Sequence, residues 1–541
     1  MMPGLLDRGR RTMLIGVFAL ICAEGAAAGA GAFATRMLFN ALHAQQSLPL
    51  NLMLLLAASG LMIALCRVAA RSRGERMGQN YALDIRHALF NQGTTMSVSD
   101  VSARRTGYMS LRFVGDLTAF RNWLGLGLPR LLAALVLIPT TLGVLGWMHL
   151  PFVWVVAPLF LVALSSIALG GLKLPAMQRR VRSRRAAIAA DMAERMPIAP
   201  ELGQLGRRRQ ESKRIQLRSV RLIGAALHRV RYAELLKSVP DMIAGAAAVA
   251  LIWVGSRDNI DIGTIAGALS ALGIALKPMR DLATVWNHWA AFSAAHKKCV
   301  AALNRRRRRE SPSGSRLRKN QPVAVRFEQV DMPPIRALSA EIRAGSRVKL
   351  AGENGTGKSR LMRTLAGLDA VEGGKVTLNN RDLAKLSQGS LRRQVARISC
   401  DSTLLKGTLR KALTLGLDRR PDDEHILEIA RKASLDAILQ GVHDLDDNVA
   451  EGGRNLSSGQ RVKIALVRAM LSRPGLILIE SSAAQLDAAG SRALTTWLEN
   501  QDATVIASEQ ANLDPELFDQ QLTLTRDEKH SSAITEARCI Q

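Results

Sequence analysis

Aromatic residues are scarce in this 541-residue chain: they make up 4%, with three tyrosines. A net charge of +29 would otherwise invite a nucleic-acid partner, but with so few rings for base stacking that reading has little support. The five cysteines (Cys22, Cys66, Cys299, Cys400, Cys539) form no C-x-x-C pair and no metal-ligand spacing, so they read as unpaired thiols. Acidic residues are also few, 45 against 74 Lys and Arg. The basic excess lies in Arg runs beside apolar segments, as the positive-inside rule expects of cytoplasmic loops.

Such a length predicts two or more domains. Hydrophobic residues make up 48% and are unevenly placed, in long apolar runs up to about residue 300 and then in the short alternations of a soluble α/β domain. The first run, Met13 to Phe33, follows RGRR (Arg8 to Arg11). Small residues near Ala28 resemble a signal cleavage region, but the run is nearer the ~20 residues that span a bilayer than the roughly 7–15 of a signal core. It reads as a first transmembrane helix with the amino terminus inside. Within it, Glu24 would cost roughly 2.5–3.5 kcal/mol at mid-membrane. It should therefore face protein or a water-filled path, either as a contact for cargo or protons or as a neutral, hydrogen-bonded side chain between helices.

Five more spans follow: Leu50 to Val68, Leu128 to Met148, Phe152 to Leu172, Val239 to Val254 and Ile260 to Leu276. Outer loops are short, and inner ones are long and basic. Tyr81 to Phe90 continues helically past the membrane until SVSDVSARRTG (Ser97 to Gly107) breaks it. Arg179 to Arg218 is a solvated basic helical stretch interrupted at MPIAPELG (Met196 to Gly203). NRRRRRESPSGSR (Asn304 to Arg316) has linker chemistry suited to anionic lipid. The expected division is a transmembrane domain over 1–304, a basic linker over 305–322 and a second domain over 323–541.

The second domain holds GENGTGKS, which fits G-x-x-x-x-G-K-[ST] at every fixed position: Gly352, Glu353, Asn354, Gly355, Thr356, Gly357, Lys358 and Ser359. An apolar strand, RVKLA, precedes it and a helical pattern, LMRTLAGL, follows. Glycines let backbone N–H groups close around phosphates, Lys358 reaches the β/γ-phosphates, and the Ser359 hydroxyl is placed to ligate Mg²⁺. Further on, LSSGQ (Leu456, Ser457, Ser458, Gly459, Gln460) opens the helix KIALVRAML. The run GLILIES (Gly475 to Ser481) reads as a buried parallel strand with an acid at its carboxyl end, and QLD closes on Asp487.

P-loop, LSSGQ, apolar strand and LD in this order resemble the ATP-binding cassette (ABC) transporter family, and six spans ahead of a cassette resemble its exporter-type half transporters. The resemblance covers essentially the whole chain, including RRTGYMSLRFVGDLTAFRNW (Arg104 to Trp123) and TLLKGTLRKAL (Thr403 to Leu413). It implies a membrane α-helical bundle of six transmembrane helices, exporter type, followed by an α/β P-loop NTPase domain. It further implies ATP and Mg²⁺ as cofactors, and two cassettes that close face to face, each ATP lying between one P-loop and the other chain's LSSGQ.

Several positions depart from the family pattern. Counting back from Asp487 puts Glu480 at the metal-binding Asp and Ser481 at the carboxylate that polarises water. Glu509 stands for the switch His, Cys400 for the Q-loop Gln, and Met332 and Pro333 where an adenine-stacking aromatic is expected. Ser359 and Glu480 remain as metal candidates, and no residue is nominated as catalytic. Elements that bind ATP are kept while those that hydrolyse it on this chain are altered. That division implies a heterodimer with a second half transporter, in which this chain holds ATP and completes the partner's site. A slow homodimeric exporter and an ATP-binding membrane regulator without transport are the alternatives. Short outer loops and no organelle-type leader imply a bacterial inner membrane, with both termini and the cassette cytoplasmic; no peptidase domain is expected ahead of the spans, which gives processing-coupled peptide export no support, and the cargo is undefined.

Overall fold

The computed structural model describes residues 2–7, 9–102, 117–304, 314–435, 444–527 and 532–538, and it divides into two units. The first takes in residues 1–94 and 104–305. Among its described residues, six helices are long and apolar enough to cross a membrane: Arg10–His43, Leu50–Thr94, Leu117–Met148, Leu150–Arg195, Arg208–Arg257 and Ile262–Leu303. The six apolar runs are thus each part of a longer rod. The second helix has 45 residues. At ~1.5 Å per residue that is about 67 Å, roughly twice the ~30 Å hydrocarbon core. Nothing in RVAARSRGERMGQNYALDIRHALF stops a helix once the apolar run ends, so it continues to Thr94. At MPIAPELG the break encloses a single turn, Ala199–Gln204, between helices Leu174–Arg195 and Arg208–Arg257. Of the stretch Arg104 to Trp123, residues 104–116 lie outside the described residues.

Small residues bring these helices together. Gly31 of the first helix lies so close to Ser59 of the second that a Cβ would meet the hydroxyl at 2.8 Å. Along the sixth helix Ala268, Ala271 and Ala275 are buried against Phe152, Val156, Phe160 and Leu251. Leu135, Trp154, Leu161 and Val249 point outward, as a bilayer-facing surface requires.

The second unit takes in residues 95–103 and 306–541. In it, the Val98 N–H donates to the Leu368 carbonyl and the Ser99 N–H to the Asp369 carboxylate, each at 3.0 Å. Its strands are β1 (Val325–Met332), β2 (Ile335–Ile342), β3 (Arg347–Gly352), β4 (Gly373–Leu378), β5 (Arg381–Asp382), β6 (Val395–Ile398), β7 (Gly407–Thr408), β8 (Asn448–Val449), β9 (Leu476–Ile479), β10 (Thr504–Ser508), β11 (Gln520–Asp527) and β12 (Ser532–Arg538). Ten of them form one sheet in the order β5-β4-β1-β2-β12-β11-β3-β10-β9-β6, and β7 pairs with β8 apart from it. The segment β11-β3-β10-β9-β6 is parallel. Strand β9 is buried on both faces: Leu476 and Leu478 enter one apolar layer, Ile477 and Ile479 the other.

Candidate nucleotide site and a polar cavity in the membrane unit

Strand β3 lies between β11 and β10 and ends at Gly352, which pairs with Leu524. Here φ is +140°, and a Cβ would sit 2.5 Å from the Leu524 carbonyl oxygen, so only glycine fits the turn. Glu353, Asn354 and Gly355 are exposed, while Thr356 is buried and its hydroxyl donates to the Glu353 carbonyl at 2.9 Å. Gly357 (φ +102°) packs against Ile335 and starts the helix Lys358–Leu365. The Lys358 ammonium is buried and folds back on its own loop, donating to the Gly352 carbonyl and, at 2.7 Å, to that of Glu353. Burial lowers its pKa, and the nearby Glu509 carboxylate partly offsets this. Ser359 is exposed on the following turn. Asn354 Oδ1 accepts from Gln510 Nε2 at 2.8 Å, which ties the loop to the segment after β10.

At the end of β9, Glu480 is buried and both of its oxygens are engaged. Oε1 lies 2.6 Å from Arg397 Nε in an ion pair, and Oε2 accepts from the Ser399 hydroxyl at 3.1 Å. The Glu480 N–H donates to the Ile398 carbonyl. Arg397 and Ser399 come from β6 and its exit, in parallel register with β9. Ser481, exposed, opens a single turn to Gln485. The Cys400 N–H donates to Ser482 Oγ at 3.0 Å, and its thiol faces the Asp401 carboxylate at 3.7 Å. Glu509 follows β10 and pairs with Lys349 of β3 at 3.2 Å. Met332 is buried in the core against Thr364, and the Pro333 carbonyl accepts from Arg360. The family implies Mg²⁺ here, and the donor set does not fit it: Ser359 offers a hydroxyl, whereas the one nominated carboxylate is already held by a guanidinium and a second hydroxyl.

LSSGQ forms a helix start. Ser457 caps Ser458–Ser472 in a reciprocal box, its oxygen accepting from the Gln460 N–H at 3.1 Å and its own N–H donating to Gln460 Oε1 at 2.8 Å. Leu456 packs on the core below. Gly459 approaches the Gln485 carbonyl so closely that a Cβ would lie 2.7 Å from it. Asp487 caps the next helix, Ala488–Glu499, through the Gly490 N–H at 2.8 Å. It also pairs with Lys463 at 2.8 Å, and that pairing, followed by the Gly490 bond, holds its carboxyl below the usual range.

Sequence reasoning missed Arg397, Ser399, Lys349 and Gln510. One signal was present: VARIS places an arginine inside an otherwise apolar strand, which requires an acidic partner nearby.

The membrane unit contains a separate cavity of about 200 Å³ lined by Glu24, Arg67, Arg71, Arg130, Lys277 and Asp281, among others. Glu24 is buried and forms an ion pair with Arg67 at 2.6 Å, the form in which it meets protein. Arg130 lies 3.5 Å from Asp281. The Arg71 guanidinium donates to the Gly125 carbonyl at 2.8 Å, satisfying an acceptor within the π-helical turn Trp123–Gly127. Both carboxylates of the cavity are paired, so its balance is cationic.

Fold and site together define a P-loop NTPase domain joined to a six-helix membrane domain. Residues 13–271 match the model of the ABC transporter transmembrane region, and residues 335–483 match that of the ABC transporter. The chain belongs to the ABC transporter family, as an exporter-type half transporter in fold. It is 26% identical over 312 residues to the ATP-dependent lipid A-core flippases of Shigella sonnei (strain Ss046) and Escherichia coli (strain K12). Those alignments take in 55% of this chain and 52% of each flippase, so the chain spans about half the length of the curated relatives it matches. The solved structure of a bacterial Atm1-family ABC exporter with ATP bound superposes with a TM-score of 0.81 at 18% identity, covering 96% of this chain and 93% of the other.

Proposed function

We propose that this protein is one half of an ATP-driven exporter in a bacterial inner membrane, with both termini and the cassette on the cytoplasmic side. Its own P-loop binds ATP through Lys358 and the loop N–H groups but turns it over poorly. Its LSSGQ, through Ser457 and Gly459, completes the active site of a different half transporter. Closure of the paired cassettes on ATP moves the membrane helices, and hydrolysis at the partner's site resets them.

The observation that carries this reading is the hydroxyl of Ser481 where a water-polarising carboxylate belongs. The loss of a general base typically forfeits about 10²- to 10⁴-fold in rate. Neighbouring groups do not replace it: Glu509 is turned to Lys349, and Cys400 offers a thiol in place of an amide. The cationic cavity of the membrane unit favours a cargo with an anionic group. The relatives' activity as lipid A-core flippases supports an amphiphile.

Photolabelling of the purified chain in lipid with an azido-ATP tests the binding half of this reading. Labelling at the P-loop that disappears in Lys358→Ala is expected. Labelling unchanged by that substitution would contradict it.

A further inference from the structure

The carboxylate nominated to hold a divalent cation is paired with a guanidinium. Arg397 Nε lies 2.6 Å from Glu480 Oε1; the glutamate is buried and the arginine, 15% exposed, is mostly covered. The second oxygen is taken by the Ser399 hydroxyl, which also accepts from the Asp401 N–H at 3.3 Å and lies 3.4 Å from Arg397 Nη2. Glu480, Arg397 and Ser399 thus form a closed network on the last two strands of the sheet, with their positions fixed by the parallel register of β6 and β9. Mg²⁺ demands near-octahedral oxygen ligation and is usually held through one or two carboxylates as well as phosphates. Here the carboxylate is neutralised internally and its geometry is spent. A cation brought to it would also stand beside a fixed positive charge.

We infer that Arg397 neutralises Glu480 in place of a metal, so that this chain's site binds adenine nucleotide without requiring a divalent cation. The inference rests on the nucleotide-binding reading above. Arginine suits the task, being always charged and forked for carboxylates. Arg397 is a positioning residue: it neutralises Glu480 and so removes the repulsion that a bare carboxylate would exert on the phosphates.

Equilibrium binding of radiolabelled ATP to the full chain in nanodiscs, in excess Mg²⁺ and in excess EDTA, tests this. The wild-type affinities should agree within about threefold, since the internal pair already satisfies the carboxylate. In Arg397→Gln the carboxylate is released, and EDTA should weaken binding by about tenfold or more, with Mg²⁺ restoring it. Should that variant not fold, the double substitution Arg397→Gln with Glu480→Gln replaces the pair by neutral amides and should again bind independently of Mg²⁺. A wild-type chain that loses ATP in EDTA overturns the inference and leaves the binding site standing, and so does an Arg397→Gln chain that ignores Mg²⁺. Absence of ATP binding in both media overturns the nucleotide-site reading, and this inference with it.

Discussion

Glu509 places its carboxylate 3.2 Å from the ammonium of Lys349, on the strand that leads into the P-loop. A histidine here would offer a donor to a γ-phosphate; a glutamate offers only negative charge, and Lys349 restrains it. Both side chains are partly exposed, so the pair contributes at most about 1 kcal/mol to stability. Its effect on the site is electrostatic: Glu509→Gln removes a negative charge close to the Lys358 ammonium and should tighten ATP binding several-fold, with thermal stability nearly unchanged. Titration with ATP and a thermal melt of the same preparation check both outcomes.

The same carboxylate gives a dependence on pH. Burial lowers the pKa of Lys358, and Glu509 raises it part of the way back. ATP affinity that depends on the lysine's charge is full at low pH and falls as pH rises through this lowered value, below the ordinary lysine range near ~10.4. Glu509→Gln removes the offset, so its fall-off should begin at a lower pH than in the wild type. Binding isotherms across the alkaline range read this directly.

Ser481→Glu alone should raise the chain's own ATP turnover by less than about tenfold, because Glu509 and Cys400 still fail to position the water. Joined with Glu509→His and Cys400→Gln it should gain about 10²-fold or more, the scale of a restored general base. Steady-state phosphate release from the chain in lipid compares the two.

Gly459→Ala would drive a methyl against the Gln485 carbonyl, at 2.7 Å, and so disturb the start of the LSSGQ helix. Turnover of the paired transporter should fall at least about tenfold, while ATP labelling of this chain's own P-loop is unaffected, because the two sites are separate in function.

Asp487→Ala removes a helix cap and a partner of Lys463, with an expected cost of about 1 kcal/mol in cassette stability. The depressed carboxyl contributes stability above the unfolded value near ~3.9, which is lost as pH falls through its lower folded value. Thermal melts of wild type and variant should therefore converge in strong acid and differ at neutral pH.

Much of this was legible in the chain itself. Six apolar runs gave the membrane helices because bilayer crossing depends on local composition, and the P-loop, LSSGQ and the LILI strand are contiguous words. The helix ends were less readable: basic amphipathic sequence such as that after Val68 continues a helix without an apolar signal. Least legible were the long-range charge pairs. Glu480 and Arg397 are 83 residues apart, and Glu24 and Arg67 are 43 apart. Strand order and helix packing bring these partners together, and neither pair has a local pattern. Ser481 and Glu509 could be found by counting from a motif; what holds Glu480 and Glu509 in place could not.

On the function proposed above, this chain binds ATP but depends on another half transporter to turn it over. The most direct measurement is ATP turnover by the purified chain in lipid, alone and co-expressed with a half transporter that keeps Asp-Glu and the switch His, with ATP binding measured in both. Binding without appreciable turnover is expected of the chain alone, and turnover once it is paired. Brisk hydrolysis by the chain alone would contradict it and would mean that another group positions the attacking water.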